Sequence, residues 1–441
     1  MVADLLRQMI ERPTIDPIPA LSLLLALLCS QSSFAAPPRP NIIVFLADDH
    51  GQLDSTPYGA TDVRTPNMQR LADAGMTFTH AFIASPSCAP SRAAMLTGLM
   101  PARNGAENNH TYKRDDVASL PGVLRQLGYQ TAAFGKVAHG GKDTARHGFD
   151  VFDEQHDAAF VAKFLRERDA SKPLCLFVGT HHPHVPWPDL EGYDPAQVQL
   201  PPSFVDTPQT REFRARYYSA VTKADTRLGE VLDLAKQHFD PANTLILYTA
   251  DHGAQWPFGK WNLYDSGIRV PLLAAWPGVI QPGSRTAAMV QWIDLWPTLI
   301  AAAGGTVPTG IDGSSFLPVL RAEKSAHREV IFTTHSGDGR MNVYPVRAIR
   351  TAALKIQFPV SKGALFYSYY PWDKPEVQWF HEDGTGNVIE ETLPVPTPRR
   401  WEHANTPVIA HWLNCIEGKA KPLMPVTLVR NHLKMVLPIL Q

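Results

Sequence analysis

The chain has 441 residues, 44% of them hydrophobic and 19% charged, a normal composition for a globular protein with one large core or a large and a small domain. Its formal net charge is −1 at pH 7. A charge so close to zero provides no overall field for binding nucleic acid or an anionic membrane surface, so we expect neither as a partner.

The first 35 residues are predicted to be a signal peptide. An apolar run within "IPALSLLLALLCSQSSFAAPPRP" is followed by Ser33, Phe34 and Ala35, and the small residues at positions −3 and −1 predict cleavage near Ala35. The run is too short for a transmembrane helix, so no stable membrane insertion is expected. We therefore expect an exported protein, either periplasmic or secreted.

Three of the four cysteines remain after such a cleavage, and three cannot form a disulfide framework. They are Cys88, Cys175 and Cys415. Cys175 lies in the apolar stretch "PLCLFVG" and is expected to be a buried strand residue. Cys88 lies in the Ser- and Pro-rich "SPSCAPSR", where packing gives it no evident role.

Short apolar runs alternate with helical patterns along most of the chain. The predicted strands are "NIIVFLA" (41–47), "QTAAFG" (130–135), "PLCLFVG" (173–179) and "TLILYTA" (244–250). The predicted helices between them are "MQRLADAG", "LPGVLRQLG" and "ARYYSAVTKADTRLGEVLDLAKQ". Continuous apolar strands separated by helices predict an α/β fold with a largely parallel sheet.

Each of these four strands is followed by polar residues. They are Asp48, Asp49 and His50 after the first, Lys136 and His139 after the second, Thr180, His181, His182 and His184 after the third, and Asp251 and His252 after the fourth. Because ligands bind beyond the carboxyl ends of the strands in open α/β sheets, we expect these side chains to meet at one edge. A single Asp-His-Gly would more often be turn chemistry, but four such strand ends in one chain favour a site.

The carboxylates among these residues indicate a metal. Asp48, Asp49 and Asp251 suit a hard divalent cation, whereas a zinc site would more naturally use several histidines or a cysteine. His252 in the fourth place is less usual for an ion that prefers oxygen, so the residues alone leave the identity of the metal open.

The residues around Cys88 resemble a known signature. "CAPSR" followed by "AAMLTG" is similar to the Cys-x-Pro-Ser-Arg sequence of the type I sulfatases, members of the alkaline phosphatase superfamily in which this cysteine is oxidised to formylglycine. The resemblance extends from "RPNIIVFLADDHG" to about "LLAAWPGV", roughly residues 39–280. Segments such as "KWNLYDSGIRVPLL" and "MNVYPVRAIRT" are similar to the heparan N-sulfatase (sulfamidase) branch.

The resemblance implies a large, mostly parallel mixed sheet sandwiched by helices, with one divalent cation, expected to be calcium, at its edge. The implied metal ligands are Asp48, Asp49, Asp251, His252 and the oxidised Cys88, although many relatives have Asn where this chain has His252. The implied catalytic residues are Cys88, Arg92, Lys136, His139 and His181, with Lys260 as a second cation on the sulfate. His139 follows Lys136 with Lys-x-x-His spacing, whereas many arylsulfatases have Lys-x-His.

In this family the hydrate of formylglycine is the nucleophile, and the implied reaction is hydrolysis of a sulfate ester or sulfamate. The metal and two lysines neutralise the sulfuryl oxygens, and Arg92 holds the hydrate. His181 is the candidate acid and His139 the candidate base, although the sequence allows the two roles to be exchanged. The expected substrate is a sulfated saccharide, with N-sulfoglucosamine as one candidate, or an aryl sulfate. The expected partner is a formylglycine-generating maturation enzyme.

A domain boundary is predicted near residue 325. Residues 36–325 form the predicted catalytic domain, and residues 326–441 a small antiparallel C-terminal subdomain with short strands at "EVIFTTH", "PVRAIRT" and "ALKIQFPV". His335 in the subdomain is a candidate substrate contact, and so is His184, whose "HVPWP" context fits a turn equally well. The family's usual "ELYDL" ending is absent, so we expect an atypical or truncated tail.

Two alternatives remain from the sequence. Phosphonate or phosphate-ester hydrolases of the same superfamily share the metal residues, and activity on sulfate and phosphate model esters would distinguish them. An exported glycan-binding protein that has lost catalysis is the other, and the complete set of candidate catalytic residues argues against it.

Overall fold

A computed structural model of the protein describes residues 39–201, 204, 206–338 and 345–351, together with the backbone of three further strands. The predicted signal peptide, Cys415 and the end of the predicted C-terminal subdomain lie outside the described residues. Within the described part, no helix combines the length and the apolarity needed to cross a membrane.

Strands and helices alternate in the described chain. The strands are β1 (Asn41–Ala47), β2 (Met76–Phe78), β3 (Ala81–Phe82), β4 (Gln130–Gly135), β5 (Val151–Asp153), β6 (Leu174–Gly179), β7 (Thr244–Ala250), β8 (Leu272–Ala275), β9 (Ser284–Thr286), β10 (Val290–Gln291), β11 (Ile331–His335), β12 (Val346–Arg350), β13 (Lys355–Pro359), β14 (Glu376–Glu382) and β15 (Val388–Pro394). The α-helices are α1 (Pro66–Asp73), α2 (Cys88–Thr97), α3 (Pro101–Asn104), α4 (Leu120–Gln126), α5 (Gly141–His147), α6 (Ala158–Glu167), α7 (Pro208–His238), α8 (Asp265–Ile268), α9 (Leu295–Ala302) and α10 (Leu317–Leu320).

The main sheet has eight strands in the order β5-β4-β6-β1-β7-β8-β2-β9. The five strands β5, β4, β6, β1 and β7 are parallel to one another, whereas β8 is antiparallel to both β7 and β2. Val44 of β1 lies beside Phe177 of β6 and Leu247 of β7, and all three side chains are buried. Cys175 of β6 is buried as predicted. The predicted α/β fold with a large, mostly parallel mixed sheet is confirmed.

The helices are held to this sheet by apolar packing and by a few buried polar contacts. The long helix α7 begins after Thr207, whose side chain accepts a hydrogen bond from the N–H of Thr210. Asp225, in the middle of α7, accepts hydrogen bonds from the backbone N–H groups of Asn67 and Met68 at 3.0 and 2.7 Å. A carboxylate of α7 therefore caps the N-terminus of α1, because those N–H groups have no partner within their own helix.

The C-terminal strands form small antiparallel sheets, as predicted. One sheet has the order β11-β12-β13, and β14 pairs with β15 in a second. Ile331 of β11 belongs to the same buried apolar cluster as the main sheet. The N–H of Thr334 donates to the carbonyl of Ala84 at 2.9 Å, so β11 contacts the segment that leads into α2.

Candidate active site

The polar residues that follow β4, β6, β1 and β7 lie side by side at one edge of the main sheet. These four strands are consecutive neighbours and parallel, so their carboxyl ends share that edge. Backbone hydrogen bonds continue past the strand ends: Asp48 N–H donates to His182 at 3.2 Å, and Lys136 N–H donates to Gly179 at 3.0 Å. Asp251 N–H donates in the same way to Ala47 at 3.2 Å. The structure thus brings together the four strand ends that the sequence singles out.

Helix α2 presents Cys88 to this edge. The helix begins at Cys88 itself, and all ten of its residues are buried. The hydroxyl of Ser91 donates to the carbonyl of Asp251 at 2.6 Å. The N–H of Ala89 donates to the side-chain oxygen of Asn109 at 3.0 Å. Cys88 therefore lies at the positive end of a helix dipole, which favours an anion there.

Four buried side chains form a cluster with the arrangement of a metal site. Ligand atoms of Asp49, Cys88, Asp251 and His252 all lie within 4.8 Å of one another. The Nδ1 atom of His252 lies 2.9 Å from the carbonyl of Gly253, which leaves Nε2 facing Cys88 Sγ at 3.4 Å. Asp251 Oδ1 accepts the backbone N–H of Asp49 at 3.0 Å, which fixes the Asp251 carboxylate relative to the backbone of Asp49.

The pKa values of Asp251 and His252 are both raised by their surroundings in this cluster. Burial, opposed by Arg92 and assisted by Asp48, raises the pKa of Asp251 to about 7. Burial alone would lower the pKa of His252, but the carboxylates of Asp251 and Asp49 raise it to about 9. The cluster therefore has carboxylates that a further positive charge would stabilise, and the donor set fits a divalent cation.

Asp48 lies beside this group of four, and its oxygens face cations. Its Oδ1 atom accepts a hydrogen bond from Arg92 Nη2 at 3.0 Å and lies 3.9 Å from Cys88 Sγ, while Lys136 Nζ bonds to Oδ2. Burial alone would raise the pKa of Asp48, but Lys136 and Arg92 hold it well below its usual range. Asp48 is therefore ionised, and its role as a metal ligand stays a prediction.

Arg92 is completely buried and joins the two sides of the cluster. Its Nε atom donates to Asp251 Oδ2 at 3.0 Å, and its Nη2 atom lies 3.0 Å from Asp48 and 2.9 Å from Asp251. Its Nη1 atom donates to the backbone carbonyls of Lys136 and Val137. The sequence predicts that Arg92 holds the matured residue 88. In the structure the guanidinium of Arg92 contacts the two carboxylates and the backbone that follows β4.

Two lysines lie near Cys88, and each binds a different carboxylate: Lys136 binds Asp48 and Lys260 binds Asp49. Lys136 Nζ lies 3.8 Å from Cys88 Sγ, and Lys260 Nζ bonds to both oxygens of Asp49 at 2.9 and 3.1 Å. Burial and Asp48 raise the pKa of the Cys88 thiol, but Lys136, Lys260 and His252 outweigh them and hold it well below its usual range. The positive charges of Lys136, Lys260 and His252 therefore favour an anion at the position of the Cys88 sulfur.

The candidate histidines occupy different depths. His184 Nε2 lies 3.9 Å from Asp49 Oδ2, so the structure places His184 beside the cluster. Although His181 is exposed to solvent, its ring is partly desolvated, and this desolvation together with Lys136 lowers its pKa. His139 is half-buried and its Nε2 atom contacts Nδ1 of His110 at 2.7 Å. His335 is completely buried at the end of β11, and its contact with substrate stays a prediction.

His50, which follows Asp49, does not join the site. Its Nδ1 atom lies 2.7 Å from the hydroxyl of Tyr248, and its Nε2 atom lies 3.1 Å from the carbonyl of Asp54. The ring is buried, which lowers its pKa. His50 therefore packs beneath the loop that carries the two aspartates.

Several residues that support the site escape sequence reasoning. Tyr217 of α7 accepts the N–H of Gly51 at 3.3 Å and donates to Asp54 at 3.0 Å, while Arg214 binds Asp54 from the same helix. Asn109 holds the start of α2. Tyr217 and Arg214 lie inside the helical pattern of α7, and Asn109 lies in a loop of turn-forming types, so no local pattern marks them.

Comparison with known proteins gives two family matches. The family model described as "Sulfatase" matches residues 40–305. The model described as "N-sulphoglucosamine sulphohydrolase, C-terminal" matches residues 251–367. Together they cover the main sheet, the candidate site and the strands β11 to β13.

Two curated relatives have similar sequences. An ulvan-active sulfatase of Formosa agariphila is 32% identical over 343 residues, covering 74% of this chain and 67% of the relative. The human N-sulphoglucosamine sulphohydrolase is 30% identical over 387 residues, covering 76% of this chain and 75% of the relative. These matches place the protein among the sulfuric ester hydrolases.

The chain belongs to the type I sulfatase family. Solved structures share its fold at lower identity. A protein in complex with its substrate D-glucosamine-2-N,6-O-disulfate has a TM-score of 0.62 at 22% identity and covers 73% of this chain and 88% of its own. A phosphonate monoester hydrolase from Silicibacter pomeroyi has a TM-score of 0.62 at 19% identity, covering 86% and 96%.

Proposed function

We propose that this sulfatase hydrolyses sulfate esters or sulfamates on a sulfated saccharide, with N-sulfoglucosamine as the first substrate to test. The human relative at 30% identity is a sulphohydrolase of that sugar, and the C-terminal family match over residues 251–367 has the same name. The relative from Formosa agariphila acts on ulvan. Both names support a saccharide substrate.

The position of Cys88 carries the proposal. It is the first residue of a fully buried helix, 3.4 Å from His252 Nε2 and 3.8 Å from Lys136 Nζ. A cysteine kept only for packing would not need lysines and carboxylates around its sulfur. We infer that Cys88 is oxidised to formylglycine by a maturation enzyme, and that its hydrate supplies the attacking hydroxyl.

A divalent cation, expected to be calcium, would be held by Asp49, Asp251, His252 and the matured residue 88, with Asp48 beside them. When bound, it would act as a Lewis acid on the sulfuryl group. The carboxylates need rigid support to keep this geometry. Arg92 provides it, since its guanidinium bonds to both Asp48 and Asp251.

The lysines bind the sulfuryl group and the histidines move protons. Lys136 and Lys260, both largely buried, present positive charge where the negative charge of the transition state develops. His181 is exposed at the end of β6, where a leaving group can reach it, and protonates the leaving oxygen or nitrogen. His139 then removes a proton from the matured residue, and His184 and His335 bind the saccharide.

The decisive experiment compares two buried cysteines. Cys88→Ala is expected to abolish hydrolysis of N-sulfoglucosamine and aryl sulfates without changing the circular dichroism spectrum. Cys175→Ala, in the middle of β6, is the matched control and keeps its activity. Full activity in Cys88→Ala, or an unmodified thiol at residue 88 in the active enzyme by peptide mass spectrometry, would overturn the mechanism.

The substrate class is tested by sulfate release from N-sulfated, 2-O-sulfated, 6-O-sulfated and aryl substrates. A preference for any sulfated saccharide over aryl sulfate supports the proposal, and a preference for the N-sulfate identifies the linkage. Faster turnover of phosphate or phosphonate esters than of every sulfate would assign the site to the other hydrolase class.

Export is part of the same proposal, since the relevant residues 1–35 lie outside the described part. The protein recovered from the periplasm or the medium is expected to begin just after Ala35. N-terminal sequencing of that fraction tests this expectation. A protein that stays entirely in the cytoplasm would contradict it.

A further inference from the structure

The buried cluster at the sheet edge has a particular set of donors as long as Cys88 is not oxidised. It then offers one sulfur, one nitrogen and two carboxylates, and we call it the thiol site: Asp49, Cys88, Asp251 and His252. Thiolate and imidazole donors suit zinc, whereas calcium takes oxygen ligands. The unoxidised chain therefore presents a donor set that differs in kind from the set left once the sulfur has been replaced by oxygen.

The spacing of the donors in the thiol site fits tetrahedral zinc. Nε2 of His252 lies 3.4 Å from Cys88 Sγ, 3.4 Å from Asp49 Oδ1 and 3.6 Å from Asp251 Oδ2. Ligand atoms at about 2.0–2.3 Å from a tetrahedral zinc ion lie about 3.3–3.8 Å from one another. All three distances lie within this range, and the ligand atoms of all four residues lie within 4.8 Å of one another.

The ring of His252 is oriented to bind a metal through Nε2. Its Nδ1 atom lies 2.9 Å from the carbonyl of Gly253, and because a carbonyl only accepts hydrogen bonds, Nδ1 carries a proton. Such a bond from Nδ1 to a backbone carbonyl is the usual support of a histidine that binds metal through its other nitrogen. The Nε2 atom, at the centre of the three distances above, is therefore the donor atom of His252.

The sulfur is held in place from the far end of the chain. The N–H of Ala89, next to Cys88, donates to Asn109 Oδ1 at 3.0 Å, and Asn109 Nδ2 donates to Asp338 Oδ1 at 2.6 Å. The start of α2 is thereby tied to the segment that follows β11. The thiol site is thus formed by the folded chain before any ion enters.

The lysines beside the site do not decide which divalent cation it takes. Lys260 Nζ bonds to both oxygens of Asp49 at 2.9 and 3.1 Å, and Lys136 Nζ lies 3.8 Å from Cys88 Sγ. Lys260 must release Asp49 Oδ1 for any cation to bind there, and its flexible stem allows this. Both lysines repel every divalent cation alike, so the donor atoms determine the choice among such cations.

We propose that the folded, unmatured protein binds one Zn²⁺ tetrahedrally in the thiol site, and that oxidation of Cys88 changes the preference of the site to a hard cation. On binding, Cys88 Sγ and His252 Nε2 each donate a lone pair to zinc, the pair releases one proton to solvent, and nothing is oxidised or reduced. The zinc-binding half is independent of the proposed function, and only the change of preference rests on the proposed maturation.

Cobalt is the probe for this site, because Co²⁺ occupies zinc sites and its absorption reports sulfur ligation and geometry. The protein is produced without a maturation enzyme, its thiol is confirmed by peptide mass spectrometry, and metals are removed with a chelator. Co²⁺ is expected to give a sulfur-to-cobalt charge-transfer band and the intense visible bands of a tetrahedral ion. Zn²⁺ is expected to remove these bands in stoichiometric amount, and Ca²⁺ to leave them at about 1,000-fold excess.

Variants assign the bands to the thiol site. Cys88→Ser is expected to lose the charge-transfer band and about 100-fold or more in zinc affinity, whereas Cys175→Ala and Cys415→Ser keep both. His252→Asn replaces nitrogen by an amide oxygen, so it is expected to keep the sulfur band and to lose about 10-fold or more in zinc affinity. Circular dichroism shows whether each variant folds. X-ray absorption at the zinc edge of the wild type is expected to show one sulfur at about 2.3 Å, which needs no variant.

Three results would overturn the proposal: an octahedral cobalt spectrum without a sulfur band, a band retained in Cys88→Ser, or Ca²⁺ displacing cobalt as readily as Zn²⁺ does. In the matured enzyme the charge-transfer band is expected to be absent and zinc affinity to be about 100-fold lower; an unchanged zinc affinity refutes the change of preference. A matured enzyme that hydrolyses sulfates beside a thiol form that binds no zinc disproves this inference alone. A zinc-binding thiol form whose matured counterpart hydrolyses no sulfate disproves the proposed function alone.

Discussion

Replacement of Arg92 by methionine tests the electrostatic construction of the site. Arg92→Met keeps much of the side-chain volume but removes the charge that bonds to Asp48 and Asp251 at 2.9–3.0 Å. Both carboxylates are completely buried, so neither can turn to water. Breaking a buried pair in this way typically costs about 3–5 kcal/mol, because an uncompensated charge is left inside the protein.

The expected change in melting temperature follows from the size of the chain. An unfolding entropy of about 2.1 cal/mol/K per residue gives roughly 0.9 kcal/mol/K for 441 residues. A loss of about 3–5 kcal/mol therefore lowers the Tm by about 3–5 °C. The measurement is differential scanning calorimetry in the presence of a chelator, on protein whose Cys88 has not been matured, so that loss of maturation does not enter.

The matched control is an ion pair on the surface. Arg146 Nη1 lies 2.7 Å from Asp115, with both side chains substantially exposed. Arg146→Met is expected to change stability by less than about 1 kcal/mol, or about 1 °C. Equal Tm values for Arg92→Met and Arg146→Met would refute the reasoning that the buried guanidinium balances the two carboxylates.

Three further predictions concern the metal, pH and a loop. Free calcium at about 100 times its Kd is expected to stabilise the protein by about 2.7 kcal/mol relative to protein in a chelator, and so to raise its Tm. Asp251→Asn is expected to abolish this rise, and a rise retained in that variant would place the ion elsewhere. Burial lowers the pKa of His147 from 6.5 to about 3, so the unfolded chain binds more protons between these values and stability is lost as pH falls below 6.5. At pH 5 the free energy of unfolding is expected to be about 2 kcal/mol lower than above pH 6.5. Urea denaturation should show this loss in the wild type and in the control His238→Gln but not in His147→Gln, and the same pH dependence in all three would contradict the prediction. In Gly253→Ala the new Cβ would lie 1.7 Å from the carbonyl oxygen of Ser266, so this variant is expected to lose about 1–3 kcal/mol of stability. The control Gly122→Ala, at a position of α4 with open space around it, is expected to gain about 0.5–1 kcal/mol. An unchanged Tm in Gly253→Ala would show that the loop moves aside without cost.

The strand ends could be predicted because their signal is local. β1, β6 and β7 are buried on both faces, so their sequences are continuous apolar runs that end abruptly at polar or charged residues. Parallel neighbours then place Asp48 and Asp251 together without further information. The order of the strands, in which β6 lies between β4 and β1, is not encoded in any such run.

The support for the site could not be predicted, since it depends on contacts between distant segments. Asn109 and Asp338 are separated by 229 residues, and each lies in a loop of turn-forming types. The partners of Arg92 were likewise hidden: its sequence context indicates a contact with residue 88, but folding brings two carboxylates within 3.0 Å of its nitrogens. Opposite charges at that distance determine its orientation.

Because Cys88 is buried in the folded protein, the maturation proposed for it must take place before folding is complete. In the folded protein the residue is only 2% exposed, so an oxidising enzyme can reach it only before the helix packs. The contact that locks that helix, from Ser91 to Asp251, spans 160 residues, and the link through Asn109 ends at Asp338. Since a chain emerges from its N-terminus, the signature leaves the ribosome long before its partners do. Late closure thus gives the modifying enzyme a kinetic window, and a molecule that folds before modification retains an inaccessible thiol.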